Sequence, residues 1–323
     1  MIHKVTMRLT FRPIQQDEIA EASRLVDAAY APQMREIYGD SPRGRWRHYD
    51  EAKIESYVER EAEGVRVGLW EDRIVTFNVC RSYGNMGWFH TLAVHPQFQG
   101  RGCGRQAVED AETYLTSRGV GAIALMTWPT AIKNLAFYQR QGYRLTGLSV
   151  YAYRGVEGPA IAPGVSPFYA HLYASLSPQE QDRAQNAIRA LCQKISMGLD
   201  YSQWVTWAHR QSFAETLLLW RNGRLEALAT SYFFPNAHWA EGKLLLLHPG
   251  MSVSDKLWVL EHLKLWAISH NRTTFGLSVD LASDFASAIL LPSGFRFFAE
   301  SMATMVKGDA PPDPGLHFVR FGG

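Results

Sequence analysis

The stretch from Trp88 to Leu115, WFHTLAVHPQFQGRGCGRQAVEDAETYL, constrains the fold more than any other part of the chain. Its apolar run Leu92-Ala93-Val94, preceded by Trp88 and Phe89 and stopped at His95-Pro96, reads as a strand. Beyond Gly104, residues Ala107, Val108, Ala111, Tyr114 and Leu115 recur at three- and four-residue steps, which predicts a helix. Between the two lies Gln99-Gly100-Arg101-Gly102-Cys103-Gly104. Glycines at alternate positions let main-chain N–H groups converge, and a helix N-terminus adds positive partial charge, so the turn suits a diphosphate. The same glycines also fit a plain tight turn. A Rossmann loop would need Gly-x-Gly-x-x-Gly and an acidic ribose partner, and a P-loop would need Gly-Lys-Ser/Thr; neither is present.

The chain has 323 residues, long for one core, so two domains are the default. A hydrophobic share of 46% with 20% charged describes an ordinary globular protein. With a net charge of +2 and no long basic run, nucleic acid is not implied. Cys80, Cys103 and Cys192 are odd in number and widely spaced, which suits a reducing compartment, and no Cys/His cluster has zinc spacing. An apolar leader and a spanning run of about eighteen apolar residues are both missing from the sequence, so the expected location is cytoplasmic, away from membrane.

A first strand is expected near Arg8–Arg12 and a helix from about Asp17, carrying Ile19, Ala22, Leu25, Val26 and Ala29. The following YAPQMREIYGDSPRGRWRHYDEAK is aromatic, basic and irregular. It reads either as a wall for a substrate, offering Tyr30, Met34, Tyr38 and Trp46, or as a surface helix pair. Val65–Trp70 and Ile74–Arg81 read as a hairpin, Val120–Thr127 as a strand, and Thr130–Gln141 as a helix stopped by Gly142.

Two patterns in this half belong together. Gln99-x-x-Gly102-x-Gly104 after Leu-Ala-Val-His-Pro, followed by Phe137-Tyr138-x-x-x-Gly142-Tyr143, resembles the GNAT N-acetyltransferase superfamily. The resemblance implies an α/β fold (α+β in some schemes), a twisted, mixed, mostly antiparallel sheet flanked by helices. It also implies transfer of an acetyl group from acetyl-CoA, as cosubstrate and without a metal, to a primary amine. By the same resemblance the backbone of Leu92, Ala93 and Val94 meets the thioester end, while Gln99, Gly100, Arg101, Gly102, Cys103, Gly104 and Arg105 hold the diphosphate.

Beyond the proline- and glycine-rich residues 155–167 the chain repeats itself. His95-Pro96 recurs as His248-Pro249, Gly142-Tyr143 as Gly294-Phe295, and Trp70 as Trp220. The expected organisation is an active GNAT domain over 1–154, a linker over 155–167 and a degenerate GNAT-like copy over 168–323. The copy has Ser252, Asp255 and Leu257 where the front half has Gln99, Gly102 and Gly104, and Leu291 in place of Tyr138. An aspartate aimed at a diphosphate repels it.

Amine acetylation needs a held donor, a polarised carbonyl, a base for the ammonium and an acid for the thiolate. Tyr138 falls at the family's acid position, and a phenol is protonated at neutral pH; packed beside Phe137 it would equally serve a core. His90 is the candidate base, on the face of Leu92 and Val94 unless a bulge intervenes. Some family members have their catalytic histidine at this place, many others a glutamate. The family's asparagine position holds Ala131, and Asn134, one helical turn before Tyr138, is the substitute candidate for the cofactor arm. Cys103 reads as a filler residue. Asp40, Asp50 and Glu51 could attract a cationic amine, and Trp46, Tyr49 and Trp128 could stack on it. The expected partner is a small-molecule amine, with the protein a monomer or homodimer. Acetylation of protein N-termini or lysines, and a non-catalytic acyl-CoA sensor, are the alternatives.

Overall fold

The computed structural model describes residues 7–39, 50–309, 311–313 and 315–319. They cluster into two compact units, one of residues 7–82 and 87–125, the other of residues 83–86 and 126–319.

In the first unit the order is β1 (Thr10–Pro13), α1 (Ile19–Tyr38), α2 (Glu51–Glu61), β2 (Val65–Trp70), β3 (Arg73–Tyr83), β4 (Met86–Val94), α3 (Cys103–Ser117) and β5 (Ala122–Thr127). The strands lie in sequence order, with β1–β2 and β2–β3 antiparallel. The first strand begins later than expected, because the Leu9 N–H and the Met7 carbonyl bond to the side chain of Gln106, while both side chains are buried with Val75, Phe98 and Cys103. Helix α1 runs on through Pro32 to Tyr38, where the sequence read as irregular. Burial of Met34 on the helix outweighs the donor that Pro32 lacks. Asp50 caps α2 by accepting the Lys53 N–H at 2.9 Å. Asp40, Trp46 and Tyr49 lie outside the described residues, as does the side chain of Tyr38.

The second unit continues with α4 (Ile132–Arg140), β6 (Arg144–Gly155), β7 (Tyr169–Leu172), α5 (Pro178–Ile195), α6 (Ser202–His209), β8 (Ala214–Arg221), β9 (Arg224–Tyr232), β10 (Trp239–Leu247), α7 (Val253–Ser269), β11 (Thr274–Asp280), β12 (Arg296–Gly308) and β13 (His317–Val319). Its sheet runs β12-β6-β11-β10-β9-β8-β7, with β13 on β10. Strand β6 therefore sits between two strands of the rear half, antiparallel to both, from Thr274 opposite Gly155 to Asp280 opposite Ser149 along β11. Val150 and Ala152 of β6 enter the rear hydrophobic core beside Phe275, Leu277 and Phe295. The compact units and the sequence division at residue 154 do not coincide.

Residues 156–168 have no regular structure, yet they are docked. The Ile161 N–H donates to Glu261 Oε2 at 2.6 Å, Lys264 Nζ donates to the Pro159 carbonyl at 3.2 Å, and Ser166 Oγ meets His262 Nε2 at 2.7 Å. Polar side chains of α7 hold this segment, so its shortage of apolar residues did not make it loose.

The internal repeat recurs in hydrogen-bond detail. His95 Nδ1 accepts the Gln97 N–H and His248 Nδ1 accepts the Gly250 N–H, at 3.3 and 3.1 Å. The hairpin turns Glu71-Asp72 and Asn222-Gly223 both have positive φ. Because Trp70 faces Arg73 across the first turn and Arg221 faces Arg224 across the second, the counterpart of Trp70 is Arg221, not Trp220. Gly142 and Gly294 both stop their helices with φ near +90° and +81°. The Tyr143 N–H donates to Tyr138 and the Phe295 N–H to Leu290, each at 3.1 Å, so Tyr138 corresponds to buried Leu290 rather than Leu291.

Candidate active site

The glycine-rich turn owes its shape to two glycines, not three. Gly100 and Gly102 have φ of +73° and +86°, a left-handed conformation costly for other residues, and Gly104 is already helical. A Cβ on Gly100 or Gly102 would meet nothing within 4 Å, so the space in front of the turn is open. Gly102 caps α3 without a side-chain hydrogen bond, and the first turn carries no acidic residue. Its leading N–H donors therefore point outward without an internal acceptor, together with the positive end of the helix dipole.

The helix behind the turn is fixed from several sides. Buried Asn78 donates from Nδ2 to the Ala107 carbonyl at 3.1 Å, and Arg66 of β2 forms a two-pronged ion pair with Asp110. Gln106 donates to the Met7 carbonyl and accepts the Leu9 N–H. Phe98 wedges beneath the turn, edge-on to Trp70 and His95, with the Arg101 guanidinium 5.7 Å from its ring centre. Gln99 donates to the Val94 carbonyl at 3.1 Å, tying the turn to β4. Arg105 is turned along the helix toward Glu109, in an exposed pair of little energetic weight. Cys103 is buried, and burial pushes its thiol up, which fits a filler and not a nucleophile.

Strand β4 carries a kink that the sequence left open. Thr91, β-branched, has φ of +58°. Across it, the facing of side chains inverts: His90 lies edge-on to the Tyr57 ring of α2 at 5.2 Å, and Ala93 joins the same α1–α2 cluster. Val94 belongs instead to the Phe98–Cys103 cluster. His90 thus shares a side with Ala93, not with Val94, and the simple alternation fails at Thr91. Its Nδ1 lies 2.9 Å from Thr91 Oγ1. Burial, with Arg81, Lys53 and Arg60 nearby, holds the imidazole well below its ordinary pKa, so it is neutral at neutral pH. Tyr30 reaches β4 directly, donating to the Leu92 carbonyl at 3.2 Å, while Met34 is packed in the interior.

Tyr57 and Arg81 escaped the sequence reading. Arg81 is fully buried and donates to the carbonyls of Tyr57 and Cys80, at 2.7 and 2.9 Å, which pins α2 against β3. An arginine ending an apolar strand run was the visible signal.

Tyr138 stands on α4 in the second unit. It is buried edge-on between Phe137 and Tyr143, and burial pushes its phenol up, keeping the proton on. Asn134 lies one turn earlier on the same helix and is half-buried, as is Trp128 just after β5.

The counterpart of the open helix end is sealed. At α7, Ser252 Oγ accepts the Asp255 N–H and the Asp255 carboxylate accepts the Ser252 N–H, a capping box. Asp255 is paired with Arg221 at 2.7 Å, and Glu226, 1% exposed, lies beside Arg221 and Arg224. The Asp255 carboxylate thus takes a main-chain N–H at the helix end that the front half leaves uncapped. Among the described residues no cluster of His, Cys, Asp or Glu is arranged to hold a metal.

Residues 31–143 match the profile of the Acetyltransferase (GNAT) family. This segment carries a GNAT acetyltransferase domain. No curated protein sequence matches it. Among solved structures, a Pyrococcus horikoshii protein designated an acetyltransferase superposes with a TM-score of 0.66 at 14% identity, covering 97% of this chain and 95% of that one. A GCN5-related N-acetyltransferase of Sphaerobacter thermophilus gives 0.61 at 13% identity, over 94% and 97%. A tandem GNAT protein from the clavulanic acid biosynthesis pathway gives 0.53 at 14% identity, over 95% and 100%. These likenesses, covering nearly the whole chain, show a tandem GNAT fold. The chemistry of the GNAT family is acyl transfer from acyl-CoA to an amine. No helix among the described residues is long and apolar enough to cross a membrane.

Proposed function

We propose that the front copy transfers an acetyl group from acetyl-CoA to the primary amine of a small molecule, and that the rear copy is catalytically silent. The observation that carries this reading is the uncapped, glycine-turned N-terminus of α3 facing open space, against the carboxylate-sealed N-terminus of α7. The Gln99–Arg105 turn would hold the CoA diphosphate through main-chain N–H groups, and the backbone of Leu92–Val94 the pantetheine arm. Bound there, acetyl-CoA supplies the activated thioester.

The chain's own groups move the protons. His90, neutral and half-buried, takes one from the ammonium directly or through water; Tyr138, held protonated, is the acid for the departing thiolate. Asn134 serves the cofactor arm. Tyr30 and Trp128 are the described candidates for walling the amine site, with Met34 acting from beneath. The organisation proposed is a GNAT domain over 1–154, a connecting segment and a GNAT-like domain over 168–323.

Turnover tests this. Incubated with acetyl-CoA and a panel of amines, the protein should release free thiol steadily, and Tyr138→Phe should lose about 10²–10⁴-fold in kcat with CoA affinity kept. Turnover only on peptide N-termini or lysines would point to a protein acetyltransferase. Tight CoA binding without turnover on any amine or peptide would make the protein a sensor.

A further inference from the structure

The rear copy has a groove of its own, and the chain fills it. Strands β10 and β11 are parallel but pair only where Trp239–Glu241 faces Thr274–Gly276. Beyond that point β10 continues to Leu247, with β9 along one edge. The other edge is taken by β13, antiparallel, with Leu244 opposite Val319, Leu245 opposite Phe318 and Leu246 opposite His317. The Leu247 N–H donates to the Leu316 carbonyl at 3.0 Å.

Residues Leu245–Leu247 precede His248-Pro249 as Leu92–Val94 precede His95-Pro96. Strand β13 therefore covers the stretch of main chain whose front counterpart is proposed to take the pantetheine arm. We propose that the rear groove is a peptide-binding groove occupied by the chain's own C-terminal strand, so that each chain binds one CoA. The inference rests on the front-copy reading for what the groove would otherwise hold. Pantetheine carries two amides, and an extended peptide offers the same N–H and C=O groups to a strand edge, so the two compete for one set of partners.

The seat is built for a strand. Phe318, 4% exposed, lies in the rear core with its ring centre 4.8 Å from that of Phe285. The His317 ring stacks on Tyr201 at 5.3 Å, and its Nε2 shares a hydrogen bond with the Tyr201 hydroxyl. Asp313 delivers the strand through a turn, its carboxylate accepting the Gly315 N–H and its carbonyl those of Leu316 and His317. At the other end, Ser252 and Asp255 close the helix N-terminus that a diphosphate would need. Both requirements of CoA are thus met by the chain itself.

The full-length protein carrying Leu244→Cys and Val319→Cys tests the seating. These positions form a pair without mutual hydrogen bonds, the closer spacing in an antiparallel ladder, so mild oxidation should join them with loss of two hydrogens. CoA binding should stay at one per chain before and after. In a second full-length variant, Phe318→Asp, the strand is expelled. A synthetic peptide of residues 313–321 should then bind one to one, about tenfold or more tighter than to the unaltered protein, and restore hydrogen-exchange protection along Leu244–Leu247. Absence of the cross-link in a protein that melts cooperatively overturns the proposal. So does a folded Phe318→Asp protein that ignores the peptide, or a second CoA in the unaltered chain. If Phe318→Asp does not fold, the cysteine pair decides. A cross-link and peptide binding in a protein that binds no CoA at all would overturn the front-copy reading and the single-CoA count while the peptide groove stands.

Discussion

His90 and Gly102 each carry a physical load that a single substitution can expose. A base must be neutral to work, and His90 stays neutral down to well below pH 6.5 because burial and the cations of Arg81, Lys53 and Arg60 oppose its charging. The rate should therefore hold as pH falls through the ordinary histidine range and drop only below it. In His90→Gln that lower limb should flatten and the rate fall about 10²–10⁴-fold; a profile left unchanged removes His90 as the base. Gly102→Val tests the cradle. Open space surrounds the position, so its cost is the strain of a β-branched residue at φ +86°, about 1–3 kcal/mol, and deformation of the turn. Titration calorimetry should show CoA binding lost while the thermal transition remains cooperative. The turn and its glycines were legible in the sequence because φ preference is a property of one residue. The facing of His90 was not, since Thr91 has no intrinsic reason to adopt a positive φ and does so only within the folded strand.

Among the elements, helix ends and strand contacts differ in what reveals them. The glycine turn ahead of α3 was readable, whereas Ser252 and Asp255 were read only as the loss of a diphosphate turn, and the structure shows them capping α7. The prolongation of α1 through Pro32 was not readable, because burial of Met34 and the Tyr30 contact with β4 decide it. Likewise the residues from Val156 to Phe168 gave no sign that Glu261, His262 and Lys264 of α7 would hold them. Strand β11 depends on close approach. A Cβ on Gly276 would sit 2.6 Å from the Ala152 carbonyl of β6, a backbone atom that cannot swing aside. Gly276→Ala should thus lower stability by about 1–3 kcal/mol by pushing β11 from β6. Urea denaturation would show a lower midpoint with unchanged slope, and Gly155→Ala, where φ is not positive and the nearest atom to a Cβ would be 3.8 Å away, serves as a control for the loss of a glycine alone.

For the whole molecule, acid stability follows from a buried imidazole. His317 has its pKa lowered to about 3 by burial, against about 6.5 when unfolded. Between those values the unfolded chain binds a proton that the folded chain refuses, so stability rises with pH across the window and is unpenalised above pH 6.5. The midpoint of thermal unfolding should fall from pH 7 to pH 5, and less steeply in His317→Gln; equal slopes would mean that other groups govern acid unfolding. One chain order served two purposes here. The glycine-rich turn, the glycine stop after Tyr138 and the recurrence of His-Pro and Gly-aromatic pairs are local patterns, fixed by φ preferences and periodicity within about ten residues, and residue order displayed them; the exact counterparts, Arg221 for Trp70 and Leu290 for Tyr138, came only from strand register and helix-end hydrogen bonds. The partners of β6, the inversion at Thr91 and the seat of β13 on β10 depend on hydrogen bonds and side-chain burial between residues far apart in the chain. Any exposed strand edge can accept many strands, and only packing of the folded chain selects one.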